Sequence, residues 1–201
     1  KQGFSCLKKQ GFSCLKKQGF SCLKKQGVVG LLISDGCLRN PDKSKRDSGN
    51  FRFEATFKNA SLDFVTWLKF DILGSVSSQT QPTLYPKNSP TQIWFSTRCS
   101  PELTSLSKHW YRSDGNKRTK ILAHNLHHEF TARSVAFCIM GDGYWETCSQ
   151  TVSICTENLT PSQIDRLRDV LFEKFDLVTT KKKENRVFES VLVVKNQISI
   201  S

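Results

Sequence analysis

The chain has 201 residues, enough to bury a core as one domain or as two units of about 80 to 100 residues. Thirty Lys and Arg against eighteen Asp and Glu leave a net charge of +12, so the expected large partner is a polyanion or an anionic membrane surface. No apolar run approaches the roughly 18 residues needed to span a bilayer, so nucleic acid leads and a membrane partner is not expected.

Residues 1–24 are three identical copies of Lys-Gln-Gly-Phe-Ser-Cys-Leu-Lys. An eight-residue period fits neither a heptad nor a solenoid unit, and a glycine in every copy weakens any helix. Residues 1–26 therefore read as a duplicated, disordered basic leader, and its acid-free composition would suit an organelle transit peptide. Next comes Val28-Val29-Gly30-Leu31-Leu32-Ile33-Ser34-Asp35-Gly36, an apolar run that closes on Asp-Gly. Alone, such a run is a buried segment ending in a turn.

Arg39 to Gly49 has the Pro, Gly, Ser and charge content of a hairpin loop. From Asn50 to Lys58 the chain alternates: Phe51, Phe53, Ala55 and Phe57 point one way, Arg52, Glu54, Thr56 and Lys58 the other, as in a half-buried strand. Leu62, Val65, Leu68 and Ile72 have helical spacing, and residues 91–98 form another strand after a proline-rich stretch. Ser100 caps and Pro101 opens a helix with Leu103, Leu106 and Trp110 on its inner stripe. Residues 113–129 read as a polar, basic linker without periodicity. Its His124, His127 and His128 have neither the order nor the neighbouring cysteines of a zinc site. Of eight cysteines, Cys6, Cys14 and Cys22 belong to the leader repeat and the other five show no C-x-x-C spacing, so reduced, mostly core thiols are expected.

A second run, Val135-Ala136-Phe137-Cys138-Ile139-Met140-Gly141-Asp142-Gly143, then restarts the same programme. Residues 150–156 read as a strand, and Thr160-Pro161-Ser162-Gln163 as a capping box ahead of the stripe Ile164, Leu167, Leu171 and Phe175. Lys174-Phe175-Asp176-Leu177 near the end of this helix matches Lys69-Phe70-Asp71-Ile72 in the first half. The offsets from the motif aspartates are 34 and 36 residues. Two copies of one unit, each running helix, two strands, helix, two strands, account for this agreement.

The paired motifs and the duplicated Lys-Phe-Asp helix end resemble the LAGLIDADG homing endonucleases, in particular the single-chain, two-repeat enzymes of organelle introns, over roughly residues 27–195. The resemblance implies an α+β fold of two pseudo-symmetric αββαββα repeats, with paired motif helices at the centre and two antiparallel sheets forming a DNA-binding saddle. Residues 27–113 form the first repeat, 114–130 a linker and 131–201 the second. Small residues such as Gly30, Ser34 and Gly141 would let the motif helices approach closely. Asp35 and Asp142 would project together as catalytic carboxylates and, with Ser34 and Gly141, hold Mg2+ or Mn2+, which reverses the unfavourable placement of a carboxylate at a helix C-terminus. Lys120 is the expected basic catalytic partner, with Arg118 as second choice.

The resemblance further implies that Arg52, Glu54, Thr56, Lys58 and Arg98, with Gln92 beside them, read base edges in double-stranded DNA. Lys43, Lys45, Arg46, Lys181, Lys182, Lys183 and Arg186 would grip phosphates. Internal pseudo-symmetry implies a monomer, and the intron-borne relatives imply a mitochondrion or, alternatively, a chloroplast. Lys120 lies 85 residues beyond Asp35, whereas 59 residues follow Asp142, so the second repeat is expected to lack its last helix and a second basic residue. The expected activity is a metal-dependent, sequence-specific double-strand cut. The alternatives are an RNA maturase acting on its own intron and a catalytically inactive DNA-binding remnant.

Overall fold

The computed structural model describes residues 20–42, 49–115, 117–184 and 189–195. Both apolar runs are helices that pack against each other. Helix α1 (Cys22–Ile33) starts at Ser21, whose hydroxyl accepts from the Lys24 amide, and every residue from Gly27 to Ile33 is buried. The two strands β1 (Cys37–Arg39) and β2 (Arg52–Lys58) follow, then a helical stretch that begins as 3-10 turns, becomes α2 (Leu62–Trp67) and widens to a π-turn over Leu68–Ile72. After β3 (Thr83–Tyr85) and β4 (Gln92–Ser96) comes α3 (Pro101–Trp110), with Ser100 as cap and Pro101 at the position where a missing N–H costs nothing.

A hairpin of β5 (Tyr111–Asp114) and β6 (Lys117–Lys120) and a short helix α4 (Leu126–Glu129) lead to the second motif helix, α5 (Ala132–Asp142). The second half continues as β7 (Gly143–Glu146), β8 (Thr151–Cys155), α6 (Pro161–Phe175), β9 (Thr179–Glu184) and β10 (Glu189–Lys195). Its sheet order, β7-β8-β10-β9, repeats the first half's β1-β2-β4-β3, all antiparallel. The register repeats too: Cys37, two residues past Asp35, pairs with Glu54, and Tyr144, two past Asp142, pairs with Ser153. The expected two-repeat α+β fold is present, and its pseudo-twofold axis can be located residue by residue.

The seam between α1 and α5 shows why small residues are needed there. A Cβ on Gly30 would lie 2.2 Å from the Ser134 carbonyl oxygen and 2.8 Å from Phe137 Cβ, and one on Gly141 would lie 2.3 Å from Ser34 Oγ. Counted from the motif aspartates, Gly27 matches Ser134 and Gly30 matches Phe137, so Gly30 against Ser134 and Gly27 against the Phe137 ring (3.4 Å) are one contact seen twice. Ser34 and Gly141 match each other. Their contact therefore lies on the axis.

Phe51, Phe53, Ala55 and Phe57 are buried as their alternation predicts, within one core that includes Val65, Leu68, Leu103, Leu106, Trp110, Ile154, Ile164 and Leu167. Other expectations change. The leader boundary moves, because Cys22 to Gln26 form the first turns of α1. Residues 1–19 lie outside the described residues. Residues 114–130 are not a featureless linker: they complete the hairpin and α4, and Leu122, Ala123, Leu126 and Phe130 are buried. Arg166 donates to the carbonyls of Leu122 and Ala123, and Lys174 to those of His127 and Phe130, which pins this segment to α6. The thiols are not mostly core. None of the six described cysteines is in a disulfide, and Cys138 alone among them is buried.

Candidate functional site

Asp35 lies two residues past the end of α1, after the Ser34 cap, and Asp142 is the last residue of α5, so the seam brings both carboxylates to one end of the helix pair. The glycine after each is required by close approach. A Cβ on Gly36 would meet Phe53 Cε2 at 2.6 Å, and one on Gly143 the Ile139 carbonyl oxygen at 2.6 Å, where the chain folds back over the helix end into the sheet.

Lys120, at the end of β6, reaches the same place. Its Nζ donates to the carbonyls of Ser34 (3.0 Å) and Gly36 (2.8 Å), which flank Asp35. The Ser34 carbonyl caps the negative end of the α1 dipole, so a cation is favoured there. Burial nevertheless pushes the ammonium down to about 8, against the opposing charges of Cys37, Asp35, Cys138 and Asp142. Arg118, the second choice, lies elsewhere: its guanidinium stacks 3.7 Å from the Tyr111 ring centroid and 4.4 Å from that of Phe51, and donates to the Leu38 carbonyl. It props the hairpin against β1 and β2.

The two carboxylates hold protons more tightly than usual. Asp142 is pushed up to about 6, by burial first and then by the charges of Asp35 and Glu157, while a hydrogen bond from Cys155 and the charge of Lys58 act the other way. Asp35 is also raised, chiefly by burial, with Lys120 opposing. Partly desolvated carboxylate oxygens that repel each other are hard ligands that suit a divalent cation such as Mg2+. Among the described residues no cluster of three or more His, Cys, Asp and Glu is placed to hold a metal ion. Two carboxylates fit a cation that takes its remaining ligands from water and phosphate. Of the other expected ligands, the Ser34 carbonyl is engaged by Lys120, and Gly141 is pressed against Ser34.

The strand residues divide. Thr56, Lys58, Gln92 and Arg98 are exposed. Glu54 is 7 % exposed and paired with Arg52 at 2.6 Å and Arg39 at 3.8 Å, so it is tied up within its own sheet rather than free to meet bases. Arg52 also lies over the Trp94 ring. Lys181 pairs with Asp165 of α6 at 2.6 Å and is drawn toward that helix. Lys43, Lys45, Arg46 and Arg186 lie outside the described residues, and of Lys182 and Lys183 the backbone in β9 alone is described. Sequence reasoning missed Glu157 and Cys155 at the carboxylate pair. The signal was there in Lys58-Asn59 and Glu157-Asn158, the same step of each repeat.

Comparison with known proteins extends this picture. The structure is similar to that of the homing endonuclease I-WcaI bound to its DNA recognition sequence, with a TM-score of 0.73 at 16 % identity over 96 % of this chain and 84 % of that one. Mesophilic variants of the homing endonuclease I-DmoI share the fold at a TM-score of 0.53 and 13 % identity, over 85 % of this chain and 87 % of theirs. In sequence the chain is 25 % identical to Protein RecA of Mycolicibacterium flavescens over 177 residues, which is 83 % of this chain but 39 % of that protein's length. The model of the LAGLIDADG DNA endonuclease family matches residues 25–198, and the chain therefore belongs to that family.

Proposed function

We propose that this protein is an intron-encoded homing endonuclease of an organelle, a mitochondrion by first choice, that cuts both strands of a specific DNA site by divalent-metal-dependent hydrolysis. One observation carries the reading: two aspartates at equivalent positions of two repeats meet, partly desolvated, at one end of a shared helix seam, with Lys120 beside them. I-DmoI has been solved in complex with DNA and Mn and with DNA and Ca, which supports the metal requirement.

In this reading Asp35 and Asp142 supply the anionic oxygens, and the exposed polar faces of the sheets hold the duplex across them. A divalent cation there would polarise the scissile phosphate and lower the pKa of the attacking water. Lys120 holds positive charge where negative charge develops on the phosphate. With its pKa near 8 it can also pass a proton close to neutral pH. Its anchorage on the Ser34 and Gly36 carbonyls fixes the ammonium beside Asp35.

The test uses a duplex enriched by the protein from a randomised library in Ca2+, inserted into a supercoiled plasmid and incubated in Mg2+. Asp35→Asn and Asp142→Asn are each expected to abolish linearisation while duplex binding in Ca2+ persists. Cleavage by both variants at the parental rate overturns the reading. Specific binding without any cleavage by the parent identifies a DNA-binding remnant instead, and stimulated splicing of the host intron with both aspartates dispensable identifies a maturase.

A further inference from the structure

At one pair of equivalent positions near the carboxylates the two repeats carry opposite charges. Registering the sheets on Cys37–Glu54 and Tyr144–Ser153 makes Lys58 the counterpart of Glu157, four residues further along β2 and just past β8. The chain confirms the match independently. Each is followed by asparagine (Asn59, Asn158) and, two residues later, by the N-cap of the next α-helix (Ser61, Thr160). Both residues are exposed, and because β1–β2 and β7–β8 are antiparallel, each lies past the residue paired with Cys37 or Tyr144, at the end of its strand pair nearer the motif aspartate; the charges of both act on Asp35 and on Asp142. A cation and an anion thus flank the pair from opposite sides of the pseudo-twofold axis. A duplex is close to twofold symmetric in its phosphates, so it meets attraction on one side and repulsion on the other.

We propose that Lys58 and Glu157 make the DNA cleft unequal across its axis. Lys58 binds the central backbone phosphate on its side, Glu157 repels the equivalent phosphate on the other, and the strand lying on Lys58 is cut first. This rests on the reading that DNA lies across Asp35 and Asp142. Lys58 acts here as a positioning residue for the phosphate, and Glu157 sets the order of the two strands. Lys120, the basic group already placed at Asp35, belongs to the same half as Lys58 and reinforces the inequality.

The decisive experiment reads binding, without metal or cleavage. In the enriched duplex, each central phosphate of either strand is replaced singly by a neutral methylphosphonate, and affinity is measured by fluorescence anisotropy in EDTA. Neutralising the phosphate that faces Lys58 is expected to weaken binding about threefold, the size of an exposed ion pair. Neutralising its symmetry mate should leave binding unchanged or tighter. Glu157→Lys should make both neutralisations costly, and Lys58→Glu should remove the cost on its own side. Equal losses on both sides in the parent, or a profile that neither variant alters, overturns the inference. In Mg2+ with each strand labelled, the Lys58-side strand should be nicked first, and Glu157→Lys should bring the two rates together. Absence of cleavage overturns the endonuclease reading and with it the cutting order, while the EDTA profile still decides whether the cleft is unequal. Failure of the parent to enrich any duplex overturns the DNA reading beneath both.

Discussion

The two halves share strand order, register and motif helix, yet they solve the same local problems differently. In the first, the motif helix carries glycines at positions 27 and 30, the second helix is a broken run of 3-10, α and π turns, and Lys120 stands behind the carboxylate. In the second, Ser134 and Phe137 occupy the matching positions, the second helix is a regular 15-residue α-helix with a full capping box, and Glu157 stands where the first half has Lys58. Phe137 fills the space opposite Gly27 and stacks on Trp67 of the other half, with ring centroids 5.9 Å apart. What the fold holds constant is the seam and the sheet register, which place the two aspartates. The charges and helix details around them are free to diverge.

The largest effect should come from breaking the seam on its crowded side. Gly30→Ala puts a methyl group 2.2 Å from the Ser134 carbonyl, a backbone atom within a helix, so the helices must separate. Overpacking of this kind costs about 3 kcal/mol or more, enough to unfold a marginal domain. Gly74→Ala is the control: no atom lies within 4 Å of the added carbon, and a neutral or slightly stabilising change is expected. Urea melts of both variants measure the difference.

That seam was legible in the sequence because a helix motif is local: small residues, an apolar run and an Asp-Gly stop lie within nine residues. The alternation at Phe51, Phe53, Ala55 and Phe57 was legible for the same reason. Illegible features depend on partners far along the chain. Residues 111–120 form a hairpin because Arg118 lies between Tyr111 and Phe51 and Lys120 finds the carbonyls of Ser34 and Gly36, none of which a polar decapeptide announces. Glu54 alternates like a surface residue but is buried by Arg39 and Arg52. Leu122, Leu126 and Phe130 did carry a helical spacing, masked by the histidines between them. The last leader copy is recruited into α1 because Ser21 caps it and Lys25 pairs with Glu129 at 2.7 Å, long-range gains that outweigh the glycine.

A smaller effect separates the carboxylates from their neighbours. Asp142 has a folded pKa of about 6 against 3.8 unfolded, so the folded state holds the proton more tightly. Its contribution to stability is full below about 3.8 and lost as pH rises through 6. In EDTA at pH 7.5, Asp142→Asn should therefore be the more stable protein, by about 1 kcal/mol after allowance for solvent screening. The gap between variant and parent should close between pH 6 and pH 4. Millimolar Mg2+ should raise the Tm of the parent more than that of the variant. Equal response of the two to Mg2+ would separate the proton affinity of this carboxylate from metal binding.

The smallest effect tests the two second helices against each other. Thr160 accepts from the Gln163 amide while the Gln163 side chain accepts from the Thr160 amide, so two otherwise orphaned donors are satisfied at the start of α6. Ser61 stands at the matching position before α2, but its side chain makes no capping bond, because 3-10 turns already precede the helix there. Thr160→Ala should cost about 1 kcal/mol and Ser61→Ala no more than a few tenths, read from urea midpoints at constant m. Equal losses would mean that Ser61 caps its helix in solution, and that the second helices of the two repeats start alike.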